Sequence, residues 1–440
     1  MGRWCYGGAR TGSGPSSTAS RRPRTRDERG LLSTRPGVPV SVDGSIRTAR
    51  RLRGLRSSAI RDLLALTARP DVLSLAGGLP APELLPTAEI ADAAATVLRD
   101  PAAAQYAATS GRGDLRAVLA AREGERLGRA VHPDEVVVTH GSQQALSLLA
   151  QVLLDPGDTV IVEEPAYTGA LQVFHAAEAR VVPVPLDDDG MDTEALERLL
   201  AAGERPVLVH TVATFHNPRG VVLSAARRRH LAALADRYGF RVVEDDPYGE
   251  LWFGQAPPAP VASWSDRVVR LSSASKTLAP ALRVGWLHGD RRLCAAVELL
   301  KQGADLCGSS LTQAIAAALL ADGPWYAGHL DRLRGTYGAR ATALSTALAA
   351  EFGDAVVSSA VRGGMFTWVR FAGELDTAEL LPVAAEHGVA FVPGTAFAVS
   401  GDHGRTARLC FATAGEADLA EAARRLGRAV RALQHRTARA

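Results

Sequence analysis

The chain has 440 residues, 47% hydrophobic and 22% charged, with a formal net charge of +3. That length exceeds one small core and suits two domains with extra segments, and no run of about 18 apolar residues is present that could form a membrane-spanning helix. The four cysteines, Cys5, Cys294, Cys307 and Cys410, have neither CxxC nor other metal-ligand spacing, which argues against a metal site and for a reduced, cytoplasmic protein.

Charge is unevenly spread. Residues 1–56 hold thirteen arginines against Asp27, Glu28 and Asp43, an excess of +10, so the remaining 384 residues carry −7. Such an arm suits nucleic acid, a membrane surface or a transit peptide, but it lacks the interleaved aromatics, apolar segment and helical periodicity those readings need. Residues 1–46 are read as a disordered basic extension, and neither a membrane nor nucleic acid is an expected partner.

SSAIRDLLALTA (57–68) places Ile60, Leu63, Leu64 and Leu66 behind a serine N-cap and predicts a helix. In LSLAGGLPAPELLP (73–86), paired glycines and three prolines predict an irregular strip across a surface. TAEIADAAATVLRD is the next helix. After it short apolar strands alternate with helices: EVVVTH (135–140) and a helix from Gly141, TVIVEE (159–164), RVVPVP (180–185), PVLVHTVAT (206–214), the helix AARRRHLAALADRYG, RVVED (241–245), RVVRLSS (267–273) and VGWLH (284–288). This predicts an α/β fold with a mostly parallel, seven-stranded sheet covered on both faces. Past Trp325 a long arginine-bearing helix and a more polar α+β segment predict a second domain. The expected divisions are 1–46, an arm and helix over 47–85 packing on the small domain, a large domain over 86–324 and a small domain over 325–440.

Lys276 and Lys301 are the only lysines in a chain rich in arginine. An ε-amine can lose its proton and attack a carbonyl, whereas a guanidinium cannot, so Lys276, in the loop just past strand 267–273, is a candidate covalent anchor. Ser273, Ser275 and Arg283 around it suit a phosphate dianion. Other candidates also sit at the C-terminal ends of strands, where parallel α/β sheets place ligands. Gly141-Ser142-Gln143 opens a helix and offers free amides to an anion. Tyr167, after Glu163-Glu164-Pro165, can lie flat on a planar ligand, and Asn217 in His216-Asn217-Pro218-Arg219-Gly220 is left at a turn with a donor amide. Glu244-Asp245-Asp246-Pro247-Tyr248 brings a carboxylate out of buried backbone, which is costly without a cationic partner. A protonated pyridine nitrogen is such a partner, and Tyr248 can reach an oxygen on the same ring.

This set resembles the fold type I pyridoxal-phosphate enzymes, the class I/II aminotransferases, over about residues 50 to 430. SxSK with Arg283, the AsnPro turn, Asp245-x-x-Tyr248 and GSQQAL stand in that family's order. LAGGLPAPELLP, GGMFTW (363–368), VAFVPGTAF (389–397) and RLCFA (408–412) look most like the subgroup of 2-aminoadipate aminotransferases and MocR aminotransferase domains. The resemblance implies pyridoxal 5'-phosphate held covalently by Lys276, which moves the proton between Cα and C4′. It implies Asp245 on the pyridine nitrogen, Asn217 and Tyr248 on O3′, Tyr167 stacked on the ring, and Ser142, Gln143, Ser273, Ser275 and Arg283 on the phosphate. Tyr106 matches the tyrosine that reaches the phosphate of the neighbouring subunit, implying a homodimer with shared active sites. Arg408 matches the clamp for the substrate α-carboxylate, with Gly78 closing over it and Arg61 folding over the substrate side chain. The implied reaction moves an amino group between an L-amino acid and a 2-oxo acid, with glutamate and 2-oxoglutarate as one pair and an aromatic, branched-chain or aminoadipate-like partner as the other. The alternatives are another pyridoxal-phosphate reaction at Cα, which the same residues would serve, and a cofactor-binding transcriptional sensor, for which the short irregular arm leaves no room for a winged helix.

Overall fold

The computed structural model describes residues 49–52, 69 and 71–437. The helix expected over 57–68, with Arg61, and the extension 1–46 lie outside the described residues. The described strands are β1 (Leu73–Ser74), β2 (Val136–Thr139), β3 (Thr159–Glu164), β4 (Arg180–Asp187), β5 (Gly190–Met191), β6 (Leu208–Thr211), β7 (Arg241–Asp245), β8 (Val268–Ser273), β9 (Gly285–His288), β10 (Val356–Ser358), β11 (Phe366–Phe371), β12 (Val389–Ala390), β13 (Val392–Pro393) and β14 (Thr406–Cys410).

The main sheet has the order β2-β9-β8-β7-β6-β3-β4-β5. Its central pairs, from β8 through β7, β6 and β3 to β4, are parallel, while β9 runs antiparallel to both neighbours. Parallel strands connected through helices are buried on both faces, which is why they read as near-continuous apolar runs. Alternate residues serve opposite faces. Val160 and Val162 join Leu146, Leu149 and Phe174 beneath helices Ser142–Leu153 and Thr168–Ala176, while Ile161 joins Leu196, Leu231 and Ala235 from helices Thr193–Ala201 and Ala225–Tyr238.

The sheet has eight strands rather than the seven expected. The additional one is β5, paired antiparallel with the end of β4 through Leu186↔Met191. Its sequence, GM after three aspartates, has no apolar run to announce it. Gly190 is required there: φ is 90° and a Cβ would lie 2.7 Å from the Cα of Leu223.

A second, antiparallel sheet has the order β10-β11-β14-β13. It packs against the 30-residue helix Gly323–Phe352 and the C-terminal helix Glu416–Thr437 through Leu344, Leu348, Phe371, Leu409 and Leu426. The strip at 73–86, expected to be irregular, contains β1, which pairs parallel with β12, and one 3-10 turn at Pro82–Leu84. The same strip accepts from Cys410 N at Leu75 O, 2.8 Å. No helix among the described residues is long and apolar enough to cross a membrane.

Candidate active site

The loops leaving β2, β3, β6, β7 and β8 all emerge at one edge of the main sheet, and they carry most of the residues singled out from sequence. Lys276 follows β8 by three residues, and its Nζ donates to Gly78 O at 2.8 Å. Burial lowers its ammonium pKa to about 8; Cys410 opposes the shift, and the cations Arg408 and Arg283 add to it. The amine is thus closer to its nucleophilic form at neutral pH than a surface lysine.

Beside it lies a cradle for an anion. Thr139 at the end of β2 pairs with Gly285, which pairs in turn with Ser273, so three strand ends meet. Gly141, with φ 82°, opens helix Ser142–Leu153, whose first amides receive no side-chain cap. Arg283, itself in the left-handed region at φ 52°, donates from Nη2 to His140 O at 2.7 Å. A Cβ on Gly141 would sit 2.6 Å from Arg283 Nη2, and one on Gly285 would sit 2.5 Å from Gly141 backbone, so both glycines are dictated by close approach. The Ser273 and Ser275 hydroxyl oxygens lie 2.9 Å apart. A helix N-terminus, two hydroxyls and a guanidinium fit a phosphate dianion.

Tyr167 precedes helix Thr168–Ala176 and donates to Gln143 Oε1 at 3.2 Å, while Gln143 Nε2 holds Gly169 O at 2.9 Å. Burial pushes the Tyr167 phenol up to about 12; Asp245 adds to the shift and Arg408 opposes it. Tyr248 is buried with its ring edge-on to Phe366 at 5.9 Å. Its phenol is pushed further up, by burial first and then by Tyr167, so both tyrosines are neutral donors.

Strand alternation separates the neighbouring aspartates. Asp246 Oδ2 accepts from Arg270 Nη2 at 3.0 Å, within a buried ion network that includes Glu123 and Glu244. Asp245 has no such partner. Its Oδ1 is buried without a hydrogen bond, and Oδ2 lies 3.8 Å from His210 Nε2. A buried carboxylate left this way calls for a cation, and a protonated ring nitrogen supplies one.

Arg408 presents the complementary situation. It is 2% exposed, with Nη1 donating to Asn217 Oδ1 at 2.8 Å and Nη2 to Ala76 O at 2.6 Å. Its guanidinium carbon lies 4.1 Å from the Phe366 ring centroid and 5.1 Å from that of Phe397. Among the described residues no carboxylate pairs with it, and Nε is buried with no partner. Burial lowers its pKa, against opposing contributions from Cys410, Tyr248 and Tyr167.

Asn217 is itself braced: the preceding His216 places Nε2 3.0 Å from Glu163 Oε2, and Glu163 also receives Val212 N and Thr211 Oγ1. These contacts hold the Glu163 carboxyl below its usual range although burial opposes them. Tyr106 is left at the surface, 77% exposed, outside this cluster. Phe366 and Phe397, which sandwich Arg408, and the backbone carbonyls of Ala76 and His140 were not foreseen as site members. GGMFTW and VAFVPGTAF contain the two phenylalanines, but only the fold shows which side chain faces Arg408.

The chain matches the family described as Aminotransferase class I and II over residues 70–426. It is 40% identical to the 2-aminoadipate transaminase of Thermus thermophilus, covering 86% of this chain and 95% of the relative. It is 38% identical to aromatic-amino-acid aminotransferase 1 of Thermococcus litoralis, covering 86% and 92%. Among solved structures it resembles the α-aminoadipate aminotransferase LysN from Thermus thermophilus, complexed with N-(5'-phosphopyridoxyl)-L-leucine, with a TM-score of 0.82 and 38% identity over 88% of this chain and 98% of that one. An amine at a strand end, a cradle suited to an anion and two buried charges of opposite sign accord with those matches, and the chain belongs to the class I and II aminotransferases of fold type I, enzymes that use pyridoxal phosphate.

Proposed function

We propose that this aminotransferase moves the amino group between an L-amino acid and a 2-oxo acid, with glutamate and 2-oxoglutarate as one pair and an aromatic, branched-chain or 2-aminoadipate-like compound as the other. The observation that carries the reading is the pair of opposite buried charges, Asp245 and Arg408: among the described residues Arg408 has no carboxylate partner and a buried Nε without a hydrogen bond, and Asp245 has an Oδ1 without one and only His210 Nε2, 3.8 Å away, as an ionic neighbour. Such charges are retained where a ligand completes them.

In this reading Lys276 anchors the cofactor, Asp245 faces the ring nitrogen, and Asn217 and Tyr248 donate to the ring oxygen. Tyr167 lies against the ring. Ser142, Gln143, Ser273, Ser275 and Arg283 hold the phosphate. The cofactor, once bound, supplies an electron sink for the bonds at Cα. Arg408 receives the substrate carboxylate through its free Nε edge, with Asn217 and the Gly77-Gly78 backbone fixing the approach. Lys276 Nζ would also be placed to carry the proton to and from Cα. The phenols of Tyr167 and Tyr248, held neutral by burial, donate without adding charge.

Arg61 on the substrate side chain belongs to the same proposal, as do the division at about residue 325 and a reducing, cytoplasmic setting in keeping with free Cys294, Cys307 and Cys410. So does a homodimer, supported by the exposed Tyr106 ring, which would serve the neighbouring subunit's phosphate.

The test uses purified protein loaded with pyridoxal phosphate. Glutamate should convert its long-wavelength absorption band to a short-wavelength one, and 2-oxoglutarate should restore it, while a panel of amino acids names the second pair. Borohydride reduction followed by peptide mass spectrometry should place the cofactor on Lys276. A band that no amino acid converts, or an adduct on another residue, would overturn the proposal.

A further inference from the structure

Lys301 is the other lysine of the chain, and the reaction has no use for it. It lies on helix Arg291–Asp305, fully buried, and its Nζ donates to Asp305 Oδ1 at 2.7 Å. An i,i+4 ion pair of this kind normally stabilises only its own helix. Here the carboxylate reaches further. Asp305 Oδ2 accepts from Gln144 Nε2 at 2.7 Å and lies 3.0 Å from His140 Nδ1. Gln144 Oε1 accepts from His140 N at 2.8 Å. His140 O in turn accepts from Arg283 Nη2 at 2.7 Å. A continuous path therefore runs from a buried ammonium to the guanidinium of the anion cradle and to the first turn of the helix that frames it.

We propose that Lys301 is a positioning residue for the cofactor's phosphate, acting through Asp305 on His140, Gln144 and Arg283. The inference rests on the phosphate reading of Arg283 and the Gly141 turn. Two physical effects support it. Asp305 fixes both ends of the His140–Gln144 turn, and so the direction of the helix amides and of the carbonyl that orients Arg283. Asp305 is also an anion near a site for a dianion, and the Lys301 ammonium, 2.7 Å from its Oδ1, offsets that charge. A compact ammonium suits an enclosed position with a single carboxylate oxygen to meet, where a forked guanidinium would need more partners.

The experiment compares pyridoxal phosphate with pyridoxal, which lacks the phosphate, in titrations of the cofactor-free protein. Lys301→Met should weaken binding of pyridoxal phosphate by about tenfold, the lower end of what outer-shell partners contribute at charged sites. It should change pyridoxal binding by less than about twofold. Adding Asp305→Asn removes the uncompensated carboxylate and should recover most of the loss. Should Lys301→Met fail to fold, His140→Ala removes one of Asp305's two links to the turn, at a partly exposed side chain, and should show a smaller loss with the same selectivity for the phosphate form. Equal weakening of both aldehydes, or no change in either, overturns the proposal. Arg283→Gln serves as the control. If it abolishes the preference for the phosphate form while Lys301→Met and His140→Ala do not, only the Lys301 inference falls; if it leaves that preference intact, the phosphate site itself is misplaced and the inference falls with it.

Discussion

Lys276 offers a quantitative test of how burial would prepare the proposed anchor. With the ammonium pKa lowered from 10.5 to about 8, the neutral amine at pH 7 is about one part in ten, against about three in ten thousand for an unperturbed lysine, a gain of roughly 300-fold in nucleophile. Only the neutral amine attacks an aldehyde, so the rate of cofactor capture by the cofactor-free protein should rise about tenfold per pH unit at low pH and level off above about pH 8. Stopped-flow mixing with pyridoxal phosphate measures this, with the same aldehyde and a free alkylamine run in parallel to remove the cofactor's own titration. The same group affects stability. Its folded pKa lies below its unfolded value, so between about 8 and 10.5 the unfolded chain binds more protons and stability rises with pH. The full difference corresponds to roughly 3 kcal/mol. Lys276→Met should therefore be more stable than the parent by up to that amount below about pH 8, and the two should converge above about pH 10.5 in denaturant titrations. A capture rate still climbing steeply at about pH 10, or a stability gap independent of pH, would show that burial does not depress this lysine.

Asp245→Asn should retain the cofactor but slow proton transfer at Cα by orders of magnitude, because the ring nitrogen loses the charge that keeps it protonated; a near-parental kcat would hand that role to another group. Arg408→Lys exchanges a planar fork between two phenyl rings for a point charge, and should raise KM for the amino acid by roughly 100-fold with a smaller fall in kcat. An unchanged KM would remove Arg408 from the carboxylate site. Gly141→Ala imposes a side chain at φ 82° and places its Cβ 2.6 Å from Arg283 Nη2. The strain, about 1–3 kcal/mol, should appear as weaker pyridoxal phosphate binding in a fluorescence titration, whereas an unaltered affinity would mean that the turn relaxes freely.

The chain's own pattern determined the α/β class, the alternation of strand and helix, and the strand ends that carry Lys276, Asp245, Asn217, Tyr167 and Gly141. These are local properties: apolar runs of four to six residues bounded by glycine, proline or a capping residue report their own conformation wherever they lie. The two-residue β5 escaped notice because it has no such run and exists only by pairing with β4. Segment 53–68, with Arg61, falls outside what the structure describes. The partners that give the residues their chemical state came from folding alone. The Asp245-x-x-Tyr248 spacing singled out Asp245, but the contrast in partners came from folding: Asp246, just past β7, meets Arg270, while Asp245 Oδ1 is left without a hydrogen bond. Arg408 meets Asn217 across 191 residues, Lys276 meets Gly78 across 198, and Gln144 meets Asp305 across 161. Contacts at such separations leave no periodicity in a single sequence. Burial, the buried charges and the lowered pKa of the Lys276 amine depend on what the fold brings to that edge of the sheet, and only the tertiary structure decides it.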